Sequence, residues 1–162
     1  MTTVALPDAT IQSPIGLLRL TANDGALVRI DHVDTPEVDS EVHDNPTDDT
    51  LRDAIEQLTQ YFAGDRQTFD LRIAPAGTPF EQRVWHELHQ IPFGETRSYT
   101  DLASALGDPN AVRAVGRANS RNPLSIIIPC HRVIGANGSL TGYAGGLDRK
   151  AALLRHEGVL LV

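Results

Sequence analysis

The chain has 162 residues, of which 41% are hydrophobic and 22% charged, with a formal net charge of −7. These values describe a globular protein of one ordinary domain or two small ones, and its apolar stretches are too short to span a bilayer. A single cysteine excludes an internal disulfide and the usual structural zinc site, and no metal is expected. The start, "MTTVALPDAT", lacks a basic region followed by an apolar run, so no secretory signal is read there and a cytoplasmic location is expected.

The charge is unevenly spread. Residues 1–76 carry five arginines against 14 acids, a net of −9, whereas residues 77–162 carry nine basic residues against seven acids, a net of +2. Much of the acidic excess lies between Asp31 and Asp49, a run without Arg or Lys that reads as a solvated loop. The second half is left free to meet a polyanion.

In chain order, "GLLRLTANDGALVRID" predicts two alternating strands around a turn at Asp24-Gly25. A helix follows. Thr50 is its expected cap with Asp53 three residues on; Leu51, Ile55, Leu58 and Phe62 form its apolar face, and Gly64 stops it. Phe69, Leu71 and Ile73 alternate like a short strand. "APAGTPFEQ" (74–82) marks a boundary, giving two expected domains, 1–76 and 77–162.

The second domain opens on a helix capped by Thr78, with Pro79 in its first turn and Glu81 completing a capping box. Phe80, Val84, Leu88 and Ile91 line one face, and Pro92 and Gly94 end it. Ser98 and Asp101 then cap a short helix with Leu102 and Leu106 inward, closed by Gly107. Asp108 and Pro109 are expected to open the next. Two short helices joined by a tight turn form the helix-turn-helix pattern, which many ordinary domains also contain. On the second of them Arg113, Arg117 and Arg121 recur every four residues along one side. Ala114, Gly116 and Ala118 lie between them. Small residues allow a close approach to a minor groove, with arginines for phosphates or the duplex interior; a solvated arginine face is the plainer reading.

Cys130 lies in "IIIPCHRVIG". A lone cysteine is usually an inert, buried small hydrophobe. Here Pro129 is expected to break a strand and expose the thiol at its end. His131 adjoins it as a base, Glu157 could orient that base, and the glycine-rich "TGYAGG" (141–146) suggests a backbone-walled pocket.

Together "RAVGRANSRNPLSIIIPCHRVIG", "GYAGG" and "RHEG" resemble the methylated-DNA–protein-cysteine methyltransferases, the 6-O-alkylguanine-DNA alkyltransferases. The resemblance is strong from about residue 78 to the end. Before that it rests on length and the hairpin-helix pattern. It implies an α/β N-terminal domain, with a small antiparallel sheet plus a helix, and a mainly helical C-terminal domain with a helix-turn-helix. By that resemblance Cys130 is the alkyl acceptor, His131 its water-mediated base and Glu157 the carboxylate holding the histidine. Asn122 ties the recognition helix to the active-site turn, and Tyr99 turns the flipped nucleotide's phosphate and can protonate the leaving guanine. Arg113 fills the gap left by the extruded base, and Ala114, Gly116, Arg117 and Ala118 complete the DNA face. The pocket is lined by Val133, Tyr143, Ala144, Gly145, Asn119 and Ser125. The implied reaction transfers an alkyl group irreversibly from the 6-oxygen of guanine, and from the 4-oxygen of thymine, to the protein itself, once per molecule. It needs no cofactor. The partner is double-stranded DNA carrying alkylated guanine, with no membrane and a monomer in solution.

Three other readings stand beside this one. They are a non-enzymatic DNA binder of the same fold, a cysteine hydrolase using His32, His43, His86 or His89, and a structural domain with a buried thiol.

Overall fold

The computed structural model describes residues 6–33, 46–143 and 145–159. Most of the acidic run between Asp31 and Asp49, and Ala144 of the expected pocket, lie outside the described residues. The chain divides into two compact units, Met1–Ala76 and Gly77–Val162.

The first unit is an antiparallel meander, β1 (Asp8–Ile11), β2 (Leu17–Asn23) and β3 (Ala26–Val33), covered by helix α1 (Asp49–Phe62). Asp24 and Gly25 both take positive φ, +53° and +77°, the turn whose twist matches the flanking strands. Leu18, Leu20, Ala22, Leu27 and Ile30 point into a core shared with Leu51, Ala54, Leu58 and Tyr61 of α1. Three expectations change here. The N-cap is Asp48, whose carboxylate accepts from Leu51 N at 3.0 Å, not Thr50. Ile55 and Phe62 are only half-buried, because Ala54 and Tyr61 complete the inward stripe. Phe69–Ile73 forms no strand, and only Ile73 bridges, to Leu27. Strand β1 carries too few alternating positions to stand out in the sequence.

The second unit is mainly helical: α2 (Pro79–His89), α3 (Tyr99–Ala105), α4 (Val112–Ser120) and α5 (Leu147–His156). The capping boxes at Thr78/Glu81 and Ser98/Asp101 both form, satisfying the first free N–H groups of α2 and α3. Helix α4 begins later than the Asp108-Pro109 pair suggests. Asp108 instead closes a turn, accepting from Ala111 N on its carbonyl at 3.0 Å and from Asn110 N on its carboxylate at 3.3 Å, and the helix starts at Val112 without a side-chain cap. Leu106 is half-buried rather than inward.

Trp85 of α2 fixes α4. Its indole is 2% exposed, and Nε1 donates to the Ala118 carbonyl at 2.9 Å. A two-residue parallel pair, β4 (Arg97–Ser98) with β5 (Val133–Ile134), joins the residue before Tyr99 to the residues that follow the cysteine turn. Such short pairing carries no sequence signal, yet it sets the start of α3 beside the thiol.

If Trp85 anchors α4, Trp85→Phe loses a buried hydrogen bond and leaves the Ala118 carbonyl only the longer bond from Arg121 N at 3.2 Å. We expect a loss of about 0.5–1.5 kcal/mol in urea unfolding. An unchanged midpoint would remove this anchor.

Candidate active site

The three isoleucines before the proline form no strand. Ile126 sits at φ +77°, a left-handed conformation that a β-branched residue adopts only under constraint, at a cost of about 1–3 kcal/mol. Asn122 supplies that constraint from the end of α4. Its Nδ2 donates to the Ile128 carbonyl at 2.8 Å, and its Oδ1 accepts from Leu124 N at 3.0 Å. The turn delivers Cys130 to the start of a single 3-10 turn, Cys130–Arg132. The thiol residue is 4% exposed, which corrects the exposed strand end expected from Pro129.

Beneath it His131 and Glu157 are fully inside. His131 Nε2 meets Glu157 Oε2 at 2.8 Å. A carboxylate only accepts, so Nε2 carries the proton. Nδ1, buried and without a hydrogen-bond partner among the described residues, is left as the acceptor. Glu157, at the C-terminal end of α5, also takes two bonds from Arg132: Nε to Oε1 at 2.7 Å and Nη2 to Oε2 at 3.0 Å. Arg132 spends its third donor group on the Ile91 carbonyl at 2.6 Å and lies 5.9 Å from the Phe93 ring centre. The carboxylate is thus charge-balanced by arginine, and the imidazole need not be cationic. Burial pushes His131 below its ordinary value, against the opposing pull of Glu157.

Burial pushes the Cys130 thiol up, while a hydrogen bond from Asn122 and the charge of Lys150 oppose it. Lys150 is the main residue that the sequence does not reveal. On α5 it looks like an ordinary surface lysine, but it is fully buried. Its Nζ donates to the Val133 carbonyl, to Thr141 O at 2.6 Å and to Gly142 O at 3.4 Å. The three donors of one ammonium therefore bind the strand after the cysteine to the pocket loop. Nζ also lies 5.9 Å from the Tyr99 ring centre. Burial pushes Lys150 down to about 8, and Cys130 pushes it the other way. A lysine at this position could have been suspected only from the excess of backbone carbonyls that a glycine-rich loop presents.

Tyr99 opens α3, and its hydroxyl donates to Thr141 O at 2.8 Å. Burial raises its pKa. Gly116 of α4 faces the Tyr99 ring: a Cβ there would stand 3.8 Å from Tyr99 Cδ1. Tyr143, its hydroxyl also raised by burial, shares a hydrogen bond with the buried Ser125, so both meet near the thiol. Asn119 is 2% exposed and donates from Nδ2 to the Cys130 carbonyl at 3.4 Å. Val133 is fully buried and Gly145 half-buried.

The expected DNA face divides. Arg113 and Arg117 are exposed, and no ion pair holds either among the described residues; Ala114 and Gly116 are half-buried. Ala118 is 2% exposed and packs inward over Trp85, so it supports α4 from below instead of presenting a surface. Arg121 leans toward Glu81 at 3.7 Å. A cleft of about 460 Å³ lined by Arg97, Ser98, Thr100, Gly135 and Ala136 opens near the start of α3, and Cys130 does not line it. Among the described residues no group of three His, Cys, Asp or Glu could hold a metal, and no helix is long and apolar enough to cross a membrane.

Comparison with known proteins places these features in context. Residues 79–159 match the family profile "6-O-methylguanine DNA methyltransferase, DNA binding domain", and residues 8–75 match its "ribonuclease-like domain". A methylated-DNA–protein-cysteine methyltransferase of Mycobacterium bovis is 49% identical over 148 residues, 91% of this chain and 90% of the relative. One from Methanosarcina acetivorans is 48% identical, covering 93% of this chain and 97% of its own. Among solved structures, the Mycobacterium tuberculosis OGT in complex with DNA is 47% identical with a TM-score of 0.82, over 91% of this chain and 90% of that one.

The charge of Lys150 favours the thiolate, so Lys150→Met should move the pH at which Cys130 reacts with iodomethane upward. In the native protein the rate climbs with pH as the thiolate forms, then gains less above about 8, where the ammonium is lost. Superimposable profiles for the two proteins would show that Lys150 does not support the sulfur.

Proposed function

The chain belongs to the methylated-DNA–protein-cysteine methyltransferase family, whose members repair DNA by alkyl transfer, and from that premise we propose that Cys130 is the acceptor and takes one alkyl group per molecule. The observation that carries this reading is the His131–Glu157–Arg132 cluster beneath the only thiol, with the unprotonated nitrogen of His131 left over.

The alkyl carbon of a 6-O-alkylguanine is already electrophilic, so no cofactor is required. The Cys130 proton passes to His131 Nδ1 through a bridging water, and the imidazolium that forms is balanced by Glu157. The sulfur attacks the alkyl carbon in line. A carbon–sulfur bond forms, the carbon–oxygen bond breaks, and the electron pair leaves with guanine, which takes up a proton. The product thioether has no leaving group that a neighbour could displace, hence a single turnover. The 4-oxygen of an alkylated thymine presents the same reacting carbon and is a second substrate.

Tyr99 is the proton donor to the departing base. At rest its hydroxyl is held by Thr141 O, and for transfer it must turn away. Lys150 already bonds that carbonyl, so the loop keeps one donor when Tyr99 leaves. The amide N–H of the pocket loop, at Ala144 in the family pattern, meets the guanine oxygen as charge develops.

A stacked base cannot reach a buried thiol. The nucleotide is flipped out at a cost of a few kcal/mol, lower for a poorly paired alkylguanine. Helix α4 enters the minor groove. Arg113 fills the vacated stack, while Arg117 pairs phosphates in contacts that weaken as salt rises. An alternative, non-enzymatic sensing of damaged DNA, is disfavoured by the presence of the thiol with its base.

Incubation with a duplex containing one 6-O-methylguanine should add one methyl to Cys130 by intact mass, none to Cys130→Ala, and no second methyl at excess DNA. Repeated turnover, or a methyl on another residue, would overturn the mechanism. Arg113→Ala should slow repair of duplex by about tenfold or more while leaving the reaction with free alkylguanine base nearly unchanged. Equal slowing of both would remove Arg113 as the wedge.

A further inference from the structure

Asn119 holds a buried polar atom that the mechanism does not use. Its side chain lies at the end of α4 and is 2% exposed. The amide nitrogen donates to the Cys130 carbonyl at 3.4 Å. The opposite amide orientation would set oxygen against the Cys130 carbonyl oxygen, so this contact fixes which way the group points. The other atom, Oδ1, is buried without a hydrogen-bond partner among the described residues.

Buried carboxamide oxygens are rarely left unpaired, because stripping water from an acceptor without replacing it is costly. An acceptor is satisfied only by a donor. No group among the described residues supplies one, and the amide lies against the carbonyl of the acceptor cysteine. The donor therefore comes from the occupant. An alkylated guanine has lost the hydrogen on its ring nitrogen next to the alkylated oxygen. Its exocyclic 2-amino group is the N–H donor it still presents on the bare base edge. An alkylated thymine has no such group, and neither has an alkylated hypoxanthine.

We infer that Asn119 Oδ1 accepts a hydrogen bond from the exocyclic amino group of the flipped alkylguanine, making Asn119 a specificity residue that favours aminopurine lesions. The inference rests on the alkyl-transfer reading above. The amino group has two hydrogens, so this contact leaves the second free for a backbone carbonyl of the site. A backbone carbonyl is unchanged by substitution at Asn119, so the contribution of the side chain can be isolated.

The experiment measures methyl transfer from duplexes carrying 6-O-methylguanine or 6-O-methylhypoxanthine, which differ only in the amino group. The rate ratio is compared among the native protein, Asn119→Leu of similar volume and Asn119→Ala. Differences in base pairing between the two duplexes cancel when one protein's ratio is divided by another's. The native protein should prefer methylguanine, and the preference should fall on the order of tenfold in both variants. A ratio unchanged in the variants, or an equal loss on both substrates, would overturn the inference and leave Asn119 a packing residue. If Asn119→Leu does not fold, Asn119→Ala gives the same ratio. Absence of any methyl transfer by the native protein would instead strike at the alkyl-transfer reading itself.

Discussion

A single buried carboxylate organises the polar cluster beneath Cys130. Glu157 sits at the end of α5 with no exposed side-chain surface and accepts from both His131 and Arg132. Charges removed from water are tolerated only when paired and fully hydrogen-bonded, and this trio meets that condition almost completely. The exception is one ring nitrogen. Arg132 already neutralises Glu157, so in the proposed mechanism His131 stays neutral and offers Nδ1 as the base. Were Arg132 absent, the carboxylate would draw a second proton onto the imidazole and remove the base the thiol needs.

The remaining geometry serves to bring a strained turn against that trio. Ile126 is held in a left-handed conformation by Asn122, and the energy stored there is offset by two short side-chain bonds to the same turn. Lys150 then fixes the opposite wall through three carbonyls. Both walls are backbone held by one side chain each, Asn122 through a carbonyl and an N–H and Lys150 through carbonyls alone. The charge distribution agrees with this division of labour. The acidic excess lies wholly in residues 1–76, and the unit bearing Arg113 and Arg117 carries a net of +2.

Much of this was legible in the sequence because capping and turn chemistry are local. Thr78 with Glu81, Ser98 with Asp101, and Asp24 with Gly25 each declare themselves within four residues, and each forms. Local rules also misled. Asp108-Pro109 imitates a helix start but closes a turn, and Ile126–Ile128 has strand composition yet is bent by Asn122 six residues from Ile128. Arg132, Lys150 and the inward-facing Ala118 were illegible for a different reason. Their roles depend on partners 8 to 41 residues away, such as Ile91, Gly142 and Trp85, and no periodicity encodes such pairings. Cys130, His131 and Glu157 were singled out from the residues around the thiol and again by the resemblance, Asn122 by the resemblance alone, and their geometry became arguable only once the fold placed them together.

The central claim is that His131 rests neutral, protonated on Nε2, with Nδ1 available to the sulfur. It is tested most directly by the nitrogen chemical shifts of His131 in isotope-labelled protein at neutral pH. The account predicts a protonated Nε2 and a bare Nδ1, persisting below the pH at which an exposed histidine would charge. A proton found on Nδ1, or an imidazolium already formed at pH 7 in the unreacted protein, would contradict it.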